Sequence, residues 1–120
     1  VVLRGIAVST TCPHHLMAAH GTAAVAFAPR GKLVGIGTLA SLVDAFARRL
    51  TLQETIGDAV ASTLVRHLTP RWAACRIVLA HGCMVGRGER QHGATVETLA
   101  VHGPEAEAAR PQLYALLRDR

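Results

Sequence analysis

Two adjoining helical stripes lie between pairs of strand-like segments, and this order constrains the fold more than any other feature of the chain. Leu39, Leu42, Val43, Phe46 and Ala47 recur at helical spacing, and Leu50 ends that stripe. Thr51 with Glu54 reads as a capping box that opens a second helix. That helix carries Ile56, Ala59, Val60, Leu64 and Leu68 on one face and stops before Pro70. Ahead of the helices, Val2 to Thr11 has the β-branched, partly alternating character of a strand. A second strand runs from about Thr22 to Ala28, with Val25 and Phe27 on one face and Ala24 and Ala26 on the other. Pro29-Arg30-Gly31-Lys32 supplies a turn, and a short apolar piece, Leu33 to Ile36, follows. Behind the helices, Ala73 to Ala80 is an apolar run broken only by Arg76, and Ala94 to Val101 forms a last strand. Pro111 is placed to open a short terminal helix through Leu117. The order strand, strand, helix, helix, strand, strand predicts an α+β domain: an antiparallel four-stranded sheet with two helices on one face.

The 120 residues suit a single domain spanning 1–120. Half of them are apolar but only 3% are aromatic, so Ala, Val and Leu must fill the core. A core of small side chains is thin, and burial between subunits makes up the difference, so a homo-oligomer is expected. Net charge is +5, and the arginines that dominate it are scattered. A scattered positive balance suits anionic small molecules, and one Trp and one Tyr give little surface for stacking bases, so nucleic acid is not the expected partner. Three cysteines make no even disulfide framework, and the longest apolar stretch, around Ala23 to Ala28, is too short for a bilayer. The expected setting is cytoplasmic, with no membrane partner. The chain opens at Val1, already inside a strand pattern, so an upstream segment is expected to have been removed.

The chemistry concentrates in two places. Cys12-Pro13-His14-His15 puts a thiol and an imidazole two residues apart, and His81-Gly82-Cys83 adds a second thiol at the end of the buried strand. Cys12, His15 and Cys83 together offer two sulfurs and one nitrogen, a borderline-soft set that suits Zn2+ and leaves a fourth position for water. His14 and His81 remain beside them, able to exchange protons near neutral pH. On spacing alone, a buried cysteine with ordinary surface histidines accounts for the same residues equally well.

Longer stretches resemble a known family. Cys12-Pro13-His14-His15-Leu16 is similar to the CEHHL motif of GTP cyclohydrolase I, Phe46 to Glu54 to its FARRLQVQE, and His81-Gly82-Cys83-Met84-Val85-Gly86-Arg87-Gly88 to its HxCMxxRG. The three stand in the family's order, and the resemblance covers Val2 to Gly103. It implies the T-fold (tunnelling fold), whose element order agrees with the one read above. It also implies a zinc-dependent cyclohydrolase that opens the imidazole ring of a guanine-type purine by hydroxide attack at carbon 8. In the family the products are dihydroneopterin triphosphate and formate. The resemblance assigns zinc to Cys12, His15 and Cys83, catalysis to His14 and His81, substrate placement to Gln53, the guanine edge to Glu54 and the phosphates to Arg87. It further implies a ring-shaped homo-oligomer, decameric in the family, with sites between subunits.

Three departures accompany the match. Pro13 replaces the family's Glu. Gly37, Thr38 and Ser41 replace a hydroxyl, a lysine and an arginine that meet the triphosphate. The helical region that precedes the family's domain has no counterpart here. Two lost cations remove contacts worth roughly 1.5 to 3 kcal/mol each. Retained ring-opening residues with altered phosphate residues also fit the same chemistry on a purine or related heterocycle lacking a triphosphate. A zinc-bearing assembly subunit without catalysis is the third reading. Cys75 reads as a core residue, and Glu54 has the alternative task of capping its helix. His20, His67, His92 and His102 read as surface or capping histidines.

Overall fold

A computed structural model of the protein describes residues 1–13, 16–82 and 93–118. The strands are β1 (Val2–Thr11), β2 (Ala18–Phe27), β3 (Ala73–His81) and β4 (Val96–His102), and the helices are α1 (Ile36–Ala47), α2 (Gln53–Leu68) and α3 (Ala106–Leu116). All three neighbouring pairs in the β1-β2-β3-β4 sheet are antiparallel, giving the expected α+β architecture.

Alternation within the strands divides the molecule into two cores. Ala23, Val25 and Phe27 of β2, with Ala73, Cys75, Ile77 and Leu79 of β3, face Leu39, Val43 and Ala47 of α1 and Ile56, Val60 and Leu64 of α2. Burying a side chain such as Leu39 or Ile56 contributes about 1.5 to 3 kcal/mol. The intervening residues Ala24, Ala26 and Ala74 point the other way, toward Ala106, Leu113 and Leu117. The terminal helix therefore closes the opposite face of the sheet, and the small alanines let it lie close. Arg4 and Arg76 hold its far end, donating to the Leu116 and Leu117 carbonyls. Cations and donors at a helix C-terminus meet carbonyls that lack partners within the helix. A bulge between Leu3 and Ile6, with Gly5 at φ +72°, interrupts the β1 register beside Arg4.

Several boundaries differ from the expected ones. β2 begins at Ala18 rather than Thr22, because Ala18 to Gly21 pair with β1, and all but Ala18 pair with β3 as well. No capping box forms: Leu52 is the N-cap of α2, and no side chain caps that helix. The apolar piece Leu33 to Ile36 ends as the start of α1, with Gly35 at the N-cap. β4 begins at Val96 rather than Ala94. Pro111 lies inside α3, which starts five residues earlier at Ala106. Proline removes one helical hydrogen bond there, tolerated in a helix anchored on both sides of it by Ala106 and Leu113. Among the described residues no helix is long and apolar enough to cross a membrane.

Candidate active site

The register brings the chemically interesting segments to one end of the sheet. Thr10 pairs with Ala19, and Ala19 pairs with His81, so the three lie in one row across β1, β2 and β3. With neighbouring strands about 4.8 Å apart, Thr10 and His81 are separated by roughly 10 Å. Cys12 follows β1 by one residue. Its amide donates to the Met17 carbonyl at 3.0 Å and its carbonyl accepts from Leu16 at 2.9 Å, closing a tight turn in which Leu16 takes φ +53°. Cys12 is half-buried with a free thiol. Gly82, which directly precedes Cys83, packs against the start of β2, where a Cβ would come within 2.8 Å of the Ala18 carbonyl oxygen. The chain therefore leaves β1 and β3 at the same sheet end, with only the start of β2 between them. Thr10 Oγ1, buried beside this end, has no hydrogen-bond partner among the described residues.

The expected ligands His15 and Cys83, the expected catalytic His14 and the phosphate residue Arg87 lie outside the described residues, as does His92. Cys12 is the one expected ligand described, and no cluster of three His, Cys, Asp or Glu side chains forms among the described residues. Cys12, a soft sulfur donor in no disulfide, would suit zinc, and β1 and β3 end at the same edge of the sheet with β2 between them.

His81, at the last position of β3, is half-buried and bonded to Gln53. Gln53 opens α2, yet its side chain is 3% exposed, because residues 53, 56, 57, 60, 61 and 64 form the buried stripe of that helix. Its Nε2 donates toward the carbonyl oxygens of Ile77 at 3.0 Å and Val96 at 2.9 Å, with Thr98 Oγ1 at 3.2 Å. Turning the amide over would set its oxygen against two carbonyls, leaving buried acceptors unsatisfied at a cost of about 1 to 3 kcal/mol each. The orientation with Oε1 toward His81 Nε2, at 2.9 Å, is thereby fixed. Reading the residues in order missed this hub. Its signal was the place of Gln53 on the stripe, three residues before Ile56 and seven before Val60.

Glu54, the next residue, points the other way. It is exposed and lines a cavity of about 580 Å³ with Asp58 of α2, Thr98 and His102 of β4, and Arg110 of α3. His102 Nε2 and Asp58 Oδ1 meet at 2.5 Å across this groove, so His102 bridges β4 to α2. The Glu54 carboxylate has no partner among the described residues, which leaves it available to a ligand. His20 and His67 are exposed. Cys75 is fully buried, and burial pushes its thiol up to about 12, a core role with no chemistry. Arg48 bonds Asp44 at 2.8 Å, and Arg49 lies 5.0 Å over the Phe46 ring, so both are engaged on α1.

Comparison with known proteins adds to this geometry. The family model for GTP cyclohydrolase I matches residues 1–118. GTP cyclohydrolase 1 of Janthinobacterium sp. (strain Marseille) is 42% identical over 103 residues, which is 86% of this chain and 52% of the relative. The same enzyme of Mycobacteroides abscessus is 40% identical over 105 residues, 86% of this chain and 52% of the relative. That of Chromobacterium violaceum is 40% identical over 121 residues, 98% of this chain and 59% of the relative. The chain thus spans about half the length of these curated relatives. Among solved structures, the archaeosine synthase QueF-Like in its apo form superposes with a TM-score of 0.69 at 19% identity. It covers 86% of this chain and 92% of that one, a likeness that identifies the fold as the T-fold.

Proposed function

The chain belongs to the GTP cyclohydrolase I family, and from that premise we propose that it is a zinc-dependent cyclohydrolase opening the imidazole ring of a guanine-type purine. The observation that carries this reading is the row Thr10, Ala19, His81, which lets the Cys12 turn and the His81 end of β3 leave the sheet together. Cys12, His15 and Cys83 would hold the metal. Zinc, when bound, supplies the Lewis acidity that makes a water nucleophilic near neutral pH.

The other steps belong to side chains. His14 protonates the purine nitrogen next to carbon 8 as the ring is attacked. His81 carries protons in the later steps, as the ring opens and formate leaves. Glu54, exposed at the cavity wall and without a partner among the described residues, accepts hydrogen bonds from the guanine edge. Arg87 faces the phosphates. The cavity of about 580 Å³ beside Glu54 is within the usual range for small-molecule sites, roughly 300 to 1,000 Å³, and neither Cys12 nor His81 is part of its lining.

In this reading the site would extend between copies of the chain. α2 starts at the His81 end of the sheet, and α1 runs toward that start. At about 1.5 Å per residue, Thr38 lies roughly 14 Å along α1 from Ala47, away from the protein's own Gln53 and His81. Residues at the start of α1 would then serve a neighbouring subunit, in a homo-oligomeric ring such as the decamer of the family. A cytoplasmic setting accords with this reading.

One observation favours a second substrate class. Gly37, Thr38 and Ser41 lie on the exposed surface of α1, where the first turn carries no charged side chain. A purine or related heterocycle without a triphosphate needs no cation there. Formate release measured with GTP, GMP, guanosine and guanine decides between the two. Turnover of GTP alone supports the triphosphate reading, turnover of the smaller compounds supports the second, and no formate from any of them contradicts both.

A further inference from the structure

We propose that Thr10 is a positioning residue for Cys12: its buried hydroxyl donates a hydrogen bond to the Cys12 sulfur when that sulfur holds zinc. This rests on the reading of Cys12 as a zinc ligand and adds the group that supports its sulfur.

The starting point is a buried donor with nothing to bond. The Thr10 side chain is 7% exposed, and Oγ1 has no partner among the described residues. The other such atom, Arg4 Nε, belongs to a guanidinium that already donates to the Leu116 carbonyl. The Thr10 hydroxyl is the whole of its side chain's polarity. Buried hydroxyls are hydrogen-bonded as a rule, because one without a partner has given up its bonds to water for nothing. Valine has the same shape and would fill the position without that cost, so packing alone does not account for a threonine.

Register places the acceptor. Ile6, Val8 and Thr10 are the buried residues of β1, with Ala7, Ser9 and Thr11 exposed between them and beyond. Thr10 pairs with Ala19 and Thr11 with Ala18. Cys12 carries the same register one step further, its amide donating to the Met17 carbonyl at 3.0 Å. Side chains two residues apart on an extended ladder share a face. The Cys12 sulfur is therefore the next group along the face that bears the Thr10 hydroxyl. Residues so spaced lie roughly 6.6 Å apart along the strand, a gap that a hydroxyl and a sulfur turned toward each other bridge.

Cys12 supplies the complementary group. Both of its backbone groups are engaged, the amide with Met17 and the carbonyl with Leu16 at 2.9 Å. Its sulfur is half-buried, in no disulfide and without a partner among the described residues. A thiol accepts hydrogen bonds weakly. A sulfur that ligates zinc is a thiolate, and its charge makes it a stronger acceptor. The hydroxyl is thus matched to a metal-bound sulfur, whose orientation it fixes in the way that partners of metal ligands do.

Zinc affinity and stability test this with opposite signs. The full chain and its Thr10→Val variant are titrated with Zn2+ against a chelator of known affinity at one pH, and thermal unfolding of both is followed without metal. Valine is expected to weaken zinc binding roughly tenfold. It is also expected to leave the metal-free chain at least as stable as the native one, because a buried donor without a partner has been removed. Thr10→Ser keeps the hydroxyl and is expected to bind zinc as the native chain does. Equal zinc affinity in Thr10→Val, or a loss that Thr10→Ser shares in full, overturns the proposal and leaves the zinc reading standing. Native zinc binding that does not depend on Cys12 overturns that reading and the proposal with it. Should Thr10→Val fail to fold, Thr10→Ala, which removes the hydroxyl and adds no bulk, carries the zinc comparison.

Discussion

Gly21 of β2 lies so close to Val78 of β3 that a Cβ at position 21 would fall 2.0 Å from the Val78 carbonyl oxygen. No rotamer relieves a clash between a Cβ and a backbone atom, so the strands themselves must separate. Gly21→Ala is expected to destabilise the protein by about 3 kcal/mol, the upper end of ordinary overpacking. Urea unfolding checks this. A loss under 1 kcal/mol would mean that the two strands are not so tightly paired.

Gly21 also shows why β2 is longer than its sequence suggests. Ala18, Ala19, His20 and Gly21 have little β-propensity, and the strand is imposed by pairing with β1 and β3. The helices were legible because Leu39, Val43, Ile56, Val60 and Leu64 form continuous stripes, and all are buried. The α2 start was misread because Thr51 and Glu54 have the spacing of a capping box, whereas Leu52 occupies the cap. The terminal helix passes through Pro111, a residue that local rules place at a helix start. At the site, the motifs named Gln53 and His81, but their bond depends on how α2 meets the end of β3, which no spacing within either segment reveals.

Glu54 supplies a prediction that separates binding from folding. Its side chain is exposed and caps nothing, so Glu54→Ala is expected to change stability by less than about 0.5 kcal/mol. Losing the charged acceptor for guanine costs about 3 kcal/mol of transition-state binding, close to a 100-fold fall in kcat/KM for GTP. Thermal unfolding and formate release measure the two effects. A variant that is as active as the native protein would remove Glu54 from the site.

Arg76 and Glu97 predict a pH dependence. Arg76, almost fully buried on β3, donates to Glu97 Oε1 at 2.7 Å. That hydrogen bond, helped by the Arg76 and Arg118 charges, holds the Glu97 carboxyl below its ordinary value despite partial desolvation. A depressed carboxyl stabilises the fold above its unfolded pKa, and the contribution fades as pH falls through the folded one. Glu97→Gln is therefore expected to lower the melting temperature at pH 7 by a margin that narrows in acid. An unchanging margin across pH would rule out the ionic contribution. The pair is partly exposed, so salt is expected to reduce the effect.

Cys75 and Cys12 are expected to differ in reactivity. Burial raises the Cys75 thiol to about 12 and removes it from solvent, so little thiolate is present to react. With iodoacetamide at pH 8, the native metal-free protein is expected to be modified at Cys12 and not at Cys75 until it is unfolded. Peptide mapping by mass spectrometry distinguishes the sites. Rapid labelling of Cys75 in the folded protein would contradict the core placement.

The most direct measurement is zinc content, by elemental analysis of the purified protein beside a Cys12→Ala variant of intact fold. The account predicts stoichiometric zinc in the native chain and its loss in the variant, with formate release lost alongside it. Zinc retained without the Cys12 thiol, or full activity in metal-free protein, would contradict it.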